Sequence, residues 1–161
     1  MPTAPVTPAR AWDSVMPLYS LRSKFFSRTE LAFYRALTRA VGTRYSVFAK
    51  VRLLDLCAIA PTGDYTAMNR VSAKHVDFLL CEPTGFEPVA AIEVDGTSHQ
   101  RRDRIERDAF VEDLFDQIGL PLIRVAAAYW FEPADLARRI DSAVRAARLE
   151  STRSGASAAS N

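Results

Sequence analysis

The chain has 161 residues, 48% of them hydrophobic and 25% charged, which suits one compact domain with tails and excludes disordered, collagen-like and disulfide-scaffold classes. Its formal net charge of +2, from 21 basic and 19 acidic residues, is too balanced for binding a polyanion by bulk charge, so any nucleic-acid contact must come from local patches. Cys57 and Cys81 are too few for a disulfide framework, the longest apolar run, Val125 to Phe131, is far short of a membrane span, and the proline-broken start lacks a secretory pattern. A reduced, cytoplasmic setting without a membrane is expected.

Residues 1–26, rich in proline, are expected to form an arm, 27–149 the folded domain, and 150–161, almost all Ser, Ala, Gly and Arg, a disordered tail. Ser27-Arg28-Thr29-Glu30 has the spacing of a capping box, Phe33, Tyr34, Leu37 and Val41 form an apolar stripe, and Gly42 supplies a helix stop. Tyr45 to Cys57 alternates like a strand, and the stretch broken by Pro61, Gly63 and Asp64 predicts a loop to about Ser72. Lys74–Cys81 and Pro88–Asp95 predict two strands joined by a turn around Pro83 and Gly85. A charged helix follows over 101–118, then a short apolar strand, Leu120–Ala126, and a last helix opened by Pro133. The expected class is α/β with the order αβββαβα.

Alternation along the third strand puts Glu93 and Asp95 on one face with Val89 and Ala91, opposite to Ile92 and Val94. A hairpin symmetric about Gly85 sets Asp77 opposite Glu93, so three carboxylates converge. Like charges so opposed need a positive group between them or a proton. A hard divalent cation, Mg²⁺ or Mn²⁺, bound by Asp77, Glu93 and Asp95 would meet that need and would support phosphodiester hydrolysis. The plainer reading makes these acids surface positions paired with arginines. Glu30 is equally explained by the capping box alone.

His99, four residues past Asp95, is either a proton relay and phosphate contact or merely a solvated loop histidine. Arg101, Arg102 and Arg104, interleaved with acids, suit either a phosphate clamp or a salt-bridged exposed helix. Lys74 precedes Asp77 closely enough to join in substrate binding, although strand alternation sends it to the other face.

Ser27-Arg28-Thr29-Glu30 with Phe33 to Leu37, Lys74-His75-Val76-Asp77-Phe78, Ala91-Ile92-Glu93-Val94-Asp95-Gly96 with His99, Arg107-Asp108-Ala109-Phe110 and Gly119 to Val125 together resemble the bacterial family DUF2726. That family is similar to the restriction-endonuclease-like, PD-(D/E)xK phosphodiesterases, and its hairpin most resembles very-short-patch-repair endonucleases. The resemblance implies a four-stranded mixed sheet flanked by helices, DNA as substrate, a metal at the hairpin held by Asp77 and Glu93, and a helix-one glutamate, Glu30, helping to position it. Asp95 departs from the superfamily pattern, which has lysine there. Related branches suggest that Asp95 and His99 share that lysine's role. The alternative is a catalytically degenerate module that binds nucleic acid or a partner protein.

Overall fold

The computed structural model describes residues 19–60, 65–96 and 102–158, with the side chains of 102–107 and 154–158 left aside. Helix α1 spans Arg28–Val41, β1 Ser46–Arg52, α2 Tyr65–Ser72, β2 His75–Cys81, β3 Pro88–Asp95, α3 Arg102–Ile118, β4 Leu122–Ala126 and α4 Pro133–Ala158. The strands form one sheet in the order β1-β2-β3-β4. The first three are antiparallel, and β4 lies parallel to β3 across the α3 connection. This is the expected α/β core with a four-stranded mixed sheet.

The start of α1 is set by local chemistry. Ser27 Oγ accepts from the Glu30 N–H at 3.2 Å, and Glu30 Oε2 accepts from the Ser27 N–H at 2.6 Å, so two otherwise orphaned donors are satisfied. The helix stops at Gly42, whose φ of 57° is open to glycine at no steric cost. Residues 19–25 are exposed, and Phe26 packs against Tyr34 and Phe78.

Two apolar layers flank the sheet. On one face α1 and α4 cover Phe78, Leu80, Ala90, Ile92, Ile123 and Val125 with Phe33, Leu37 and Ile140. On the other, Val111 and Phe115 of α3, Val71 of α2 and Leu53 pack against Val76, Leu79 and Ala91. Full burial of one such side chain contributes about 1.5–3 kcal/mol, so both layers are needed to stabilise a sheet this small.

Three elements differ from expectation. The first strand ends at Arg52 instead of reaching Cys57, because Leu53 to Asp55 tighten into a single 3-10 turn whose Leu53 N–H bonds the Lys74 carbonyl. Part of the expected loop is α2, a helix with one buried residue, Val71, and therefore no apolar stripe to announce it. Helix α4 runs to Ala158, beyond the expected domain end at 149. Its last turns are exposed at 149–153 and held by helical geometry, with the Ser151 and Thr152 hydroxyls bonding the carbonyls of Ala147 and Arg148.

Candidate functional site

The register of the β2–β3 hairpin is that of a turn centred on Gly85, with Phe78 opposite Ile92, Leu79 opposite Ala91 and Leu80 opposite Ala90. The paired register stops at Phe78 and Ile92, one residue short of the expected pair Asp77 and Glu93. The ladder ends there by a side-chain bond: Asp77 Oδ2 accepts from the Val94 N–H at 2.9 Å, taking the place of a main-chain carbonyl. Near the turn, a bulge between Leu80 and Cys81 brings Cys81 opposite Pro88. In consequence Val89 packs with the Ile92 and Val94 face, not with Ala91 and Glu93 as simple alternation predicts.

Glu93 and Asp95 lie on the α3 side of the sheet and meet a residue that the motifs did not single out. Arg124 of β4 sits beside Glu93 in the parallel register. Its Nη1 is 3.0 Å from Glu93 Oε2 and donates to Asp95 Oδ1 at 3.0 Å. From α3, Glu112 Oε1 lies 3.1 Å from Nε and Asp108 Oδ1 3.7 Å from Nη2. Both of these nitrogens are sealed from solvent, and neither contact has hydrogen-bonding geometry. Burial alone would lower the Arg124 pKa, but the four carboxylates outweigh it and hold the guanidinium above its usual value.

The positive group that the opposed acids require is therefore an arginine in this arrangement. Among the described residues four carboxylates face one guanidinium, an excess of acid over base. The oxygen donors of this cluster suit a hard cation chemically. Their placement does not: the two nearest acids converge on Nη1, and among the described residues no three His, Cys, Asp or Glu side chains are grouped to hold a metal ion. A divalent ion would fit here only with Arg124 displaced.

A second polar pair lies at the rung beside Asp77. Lys50 of β1 stands between the pairs Ala49–Phe78 and Val51–Val76, hence opposite Asp77. Its φ is 54°, a left-handed conformation that is costly for a residue with a Cβ. The turn carries its ammonium to Glu30 Oε1 at 2.7 Å, with both side chains partly buried. Burial raises the Glu30 pKa, but hydrogen bonds from Lys50 and Ser27 and the Lys50 charge outweigh it and hold the carboxyl below its ordinary value. Glu30 is thus both a helix cap and the partner of a half-buried lysine.

Lys74 packs over Phe110 of α3, its Nζ 4.9 Å from the ring centroid, and it also donates to the Arg70 carbonyl. His99 and Arg101 lie outside the described residues, as do the side chains of Arg102 and Arg104 in the first turn of α3. The structure thus brings Glu93 and Asp95 together, puts Asp77 at the adjoining ladder end, and joins Glu30 to Lys50. Sequence reasoning passed over one signal at each of these positions: Arg124 is the lone basic residue of an otherwise apolar strand, and Lys50 is a basic residue set between the apolar Ala49 and Val51.

The family model for proteins of unknown function, DUF2726, matches residues 22–144. The chain belongs to this family. The match takes in all four strands and every site residue named above. No curated protein and no solved structure matches the chain. No helix among the described residues is long and apolar enough to cross a membrane.

Proposed function

We propose that this DUF2726 chain is a phosphodiesterase that cuts DNA with Mg²⁺ or Mn²⁺, on a core of the restriction-endonuclease-like, PD-(D/E)xK type. The observation that carries this reading is the surplus of acid at the carboxyl end of β3, where four carboxylates meet one guanidinium. Such a surplus costs stability unless a further cation joins it, and it lies where β2 and β3 part. The divalent ion would supply Lewis-acid chemistry to a phosphate once Arg124 had moved aside.

The chain's own residues then have separate tasks. Glu93 and Asp95 hold positive charge at the end of β3, and Asp77 fixes the ladder end through Val94. Lys50, whose backbone lies on the Asp77 rung, has its ammonium held by Glu30. It is a candidate for the cation that the Glu93-x-Asp95 pattern lacks two residues after its glutamate.

Arg124 favours the second reading, a module of the same fold that binds nucleic acid or a partner protein without cutting, because a resident guanidinium makes a metal unnecessary for folding. Plasmid nicking in Mg²⁺ and Mn²⁺ separates the two. The phosphodiesterase reading expects nicking that Glu93→Gln and Asp77→Asn both abolish. Nicking that survives both substitutions refutes this site, and DNA binding without nicking in either metal supports the module.

A further inference from the structure

The two helical layers that flank the sheet differ in charge. On α3 the described side chains, Asp108 to Ile118, include Asp108, Glu112, Asp113 and Asp116 and no base. On α1 the bases are Arg28, Arg35 and Arg39, and the one acid, Glu30, is turned to Lys50. All three arginines are exposed, and none is paired with a carboxylate among the described residues. At 3.6 residues per turn, positions 28, 35 and 39 fall within about 20° of one line along the helix, a row about 16 Å long. Arg22 and Lys24, also exposed, add two charges just before the Ser27 cap.

Solvation alone does not account for this row. Arg39, in the last turn, complements the helix dipole, but Arg28, in the first, opposes it. Arg35 and Arg39, four residues apart, are like charges on neighbouring positions, which destabilises a helix. Elsewhere on the surface the chain sets an acid beside its arginine, as in Arg52–Asp55 and Arg138–Asp135. The α1 row forgoes that compensation, and an external polyanion would supply it. A membrane surface fits poorly, because an interfacial helix needs an apolar face to insert, and α1 has buried its own through Phe33, Ala36, Leu37 and Val41, leaving Leu31 beside the row at 37% exposure. The remaining ring of α1, Tyr34, is half-buried against Phe26 and Phe78, so the row offers unpaired bases nothing to stack on. A duplex backbone needs only the charges.

We propose that Arg28, Arg35 and Arg39 form a row of phosphate contacts that holds the backbone of duplex DNA along α1, irrespective of base sequence. Arg28 adjoins the Ser27–Glu30 cap, and Glu30 reaches Lys50 on the Asp77 rung, so the row begins at the Asp77 end of the sheet. The proposal rests on nucleic acid as the ligand, which both readings above share, and adds where it is held: on the α1 layer, apart from the acids around Arg124 that repel phosphate. It is the kind of local patch that so balanced a net charge requires.

The test measures binding of the full chain to a short fluorescein-labelled DNA duplex by anisotropy, with EDTA present to prevent metal-dependent cutting, between about 50 and 200 mM salt. At about 0.9 per phosphate contact, Arg35→Gln with Arg39→Gln should lower the slope of log affinity against log salt by about 1.8 and weaken binding roughly 60-fold at about 0.1 M salt. Arg52→Gln with Arg138→Gln removes the same charge from paired positions and should change neither. The urea midpoint of the α1 double variant should be no lower than that of the wild type, since a repelling pair has been removed. Equal effects of the two double variants, or no effect of the α1 one, overturn the row, as does absence of duplex binding at the lowest salt. In each of these cases nicking that depends on Glu93 keeps the phosphodiesterase reading standing, and its absence removes that reading too. Binding to phosphatidylserine vesicles that the α1 variant abolishes, without binding to the duplex, overturns the row in favour of a membrane surface.

Discussion

Arg124→Met removes the guanidinium while keeping an apolar stem of about the length of arginine's own methylenes. Each unit pair at 3.0 Å is worth about 5 kcal/mol gross at an effective dielectric of about 20, most of it returned when the charges regain water. Breaking a buried pair from one side costs about 3–5 kcal/mol. Arg124 is 23% exposed and Glu112 is 58% exposed, so the lower end applies, about 3 kcal/mol. That corresponds to a fall of roughly 6–12 °C in Tm for a chain of this size. Asp95→Asn alone should cost about 1 kcal/mol, because it weakens one charged, partly exposed hydrogen bond. In the Arg124→Met background the sign reverses: Asp95 is then one of several uncompensated acids, and its neutralisation should stabilise by about 1 kcal/mol. Urea melts of the wild type, the two single variants and the double variant at pH 7 give the coupling energy, expected at about 2 kcal/mol. An Asp95→Asn cost that is the same in both backgrounds would refute the view that one guanidinium compensates these acids.

Glu30, whose carboxyl is held below its ordinary value, contributes stability that is present above that value and lost as pH falls through the lowered one. Glu30→Gln should therefore flatten the acid side of the urea midpoint between pH 6 and 3, scales set by the ordinary range of about 4; parallel curves would contradict the assignment. At Lys50, alanine and glycine both delete the ion pair, but only glycine accepts a φ of 54° without strain. Lys50→Gly should melt higher than Lys50→Ala by the equivalent of about 1 kcal/mol, the reverse of the usual strand preference. Phe78 is fully buried against Phe26, Phe33 and Tyr34, so Phe78→Ala should cost about 3–5 kcal/mol in urea melts.

What was legible in the sequence is what neighbouring residues decide among themselves. The capping box at Ser27 and Glu30 needs only three residues of separation, and its two reciprocal bonds are present. The symmetric turn around Gly85 fixed the hairpin register down to Phe78 and Ile92. By contrast, α2 is anchored by Val71 alone, and the bulge at Leu80 and Cys81 leaves no mark in a hydrophobic pattern, so neither could be read. The need for a positive group among the acids was also legible, but its identity was not. Arg124 reaches Glu93 only because β4 returns parallel to β3 across α3, and that adjacency is a property of the fold, not of any local spacing.

A period of two describes a strand only while its ladder is uniform, and the uniformity fails at the rung of Lys50 and Asp77. Val47 and Ala49 pack on the α1 side, whereas Val51 packs on the α3 side. Across the rung, Phe78 and Val76 divide between the same two layers. Both strands therefore change face together, which the left-handed turn at Lys50 permits in β1. Beyond this point β2 stays paired with β1 as far as His75 and Arg52, while β3 runs on beside β4 to Asp95. The sheet divides into two pairs of strands, joined there by the bond from Val94 to the Asp77 carboxylate. A carboxylate at such a division can be half-buried without an apolar neighbour across the ladder, which an intact hairpin would not allow. Asp77→Asn, which keeps the acceptor at this joint, should therefore preserve the fold better than Asp77→Ala, which opens it. Equal urea midpoints for the two variants would show that the Asp77 bond does not hold the strand pairs together.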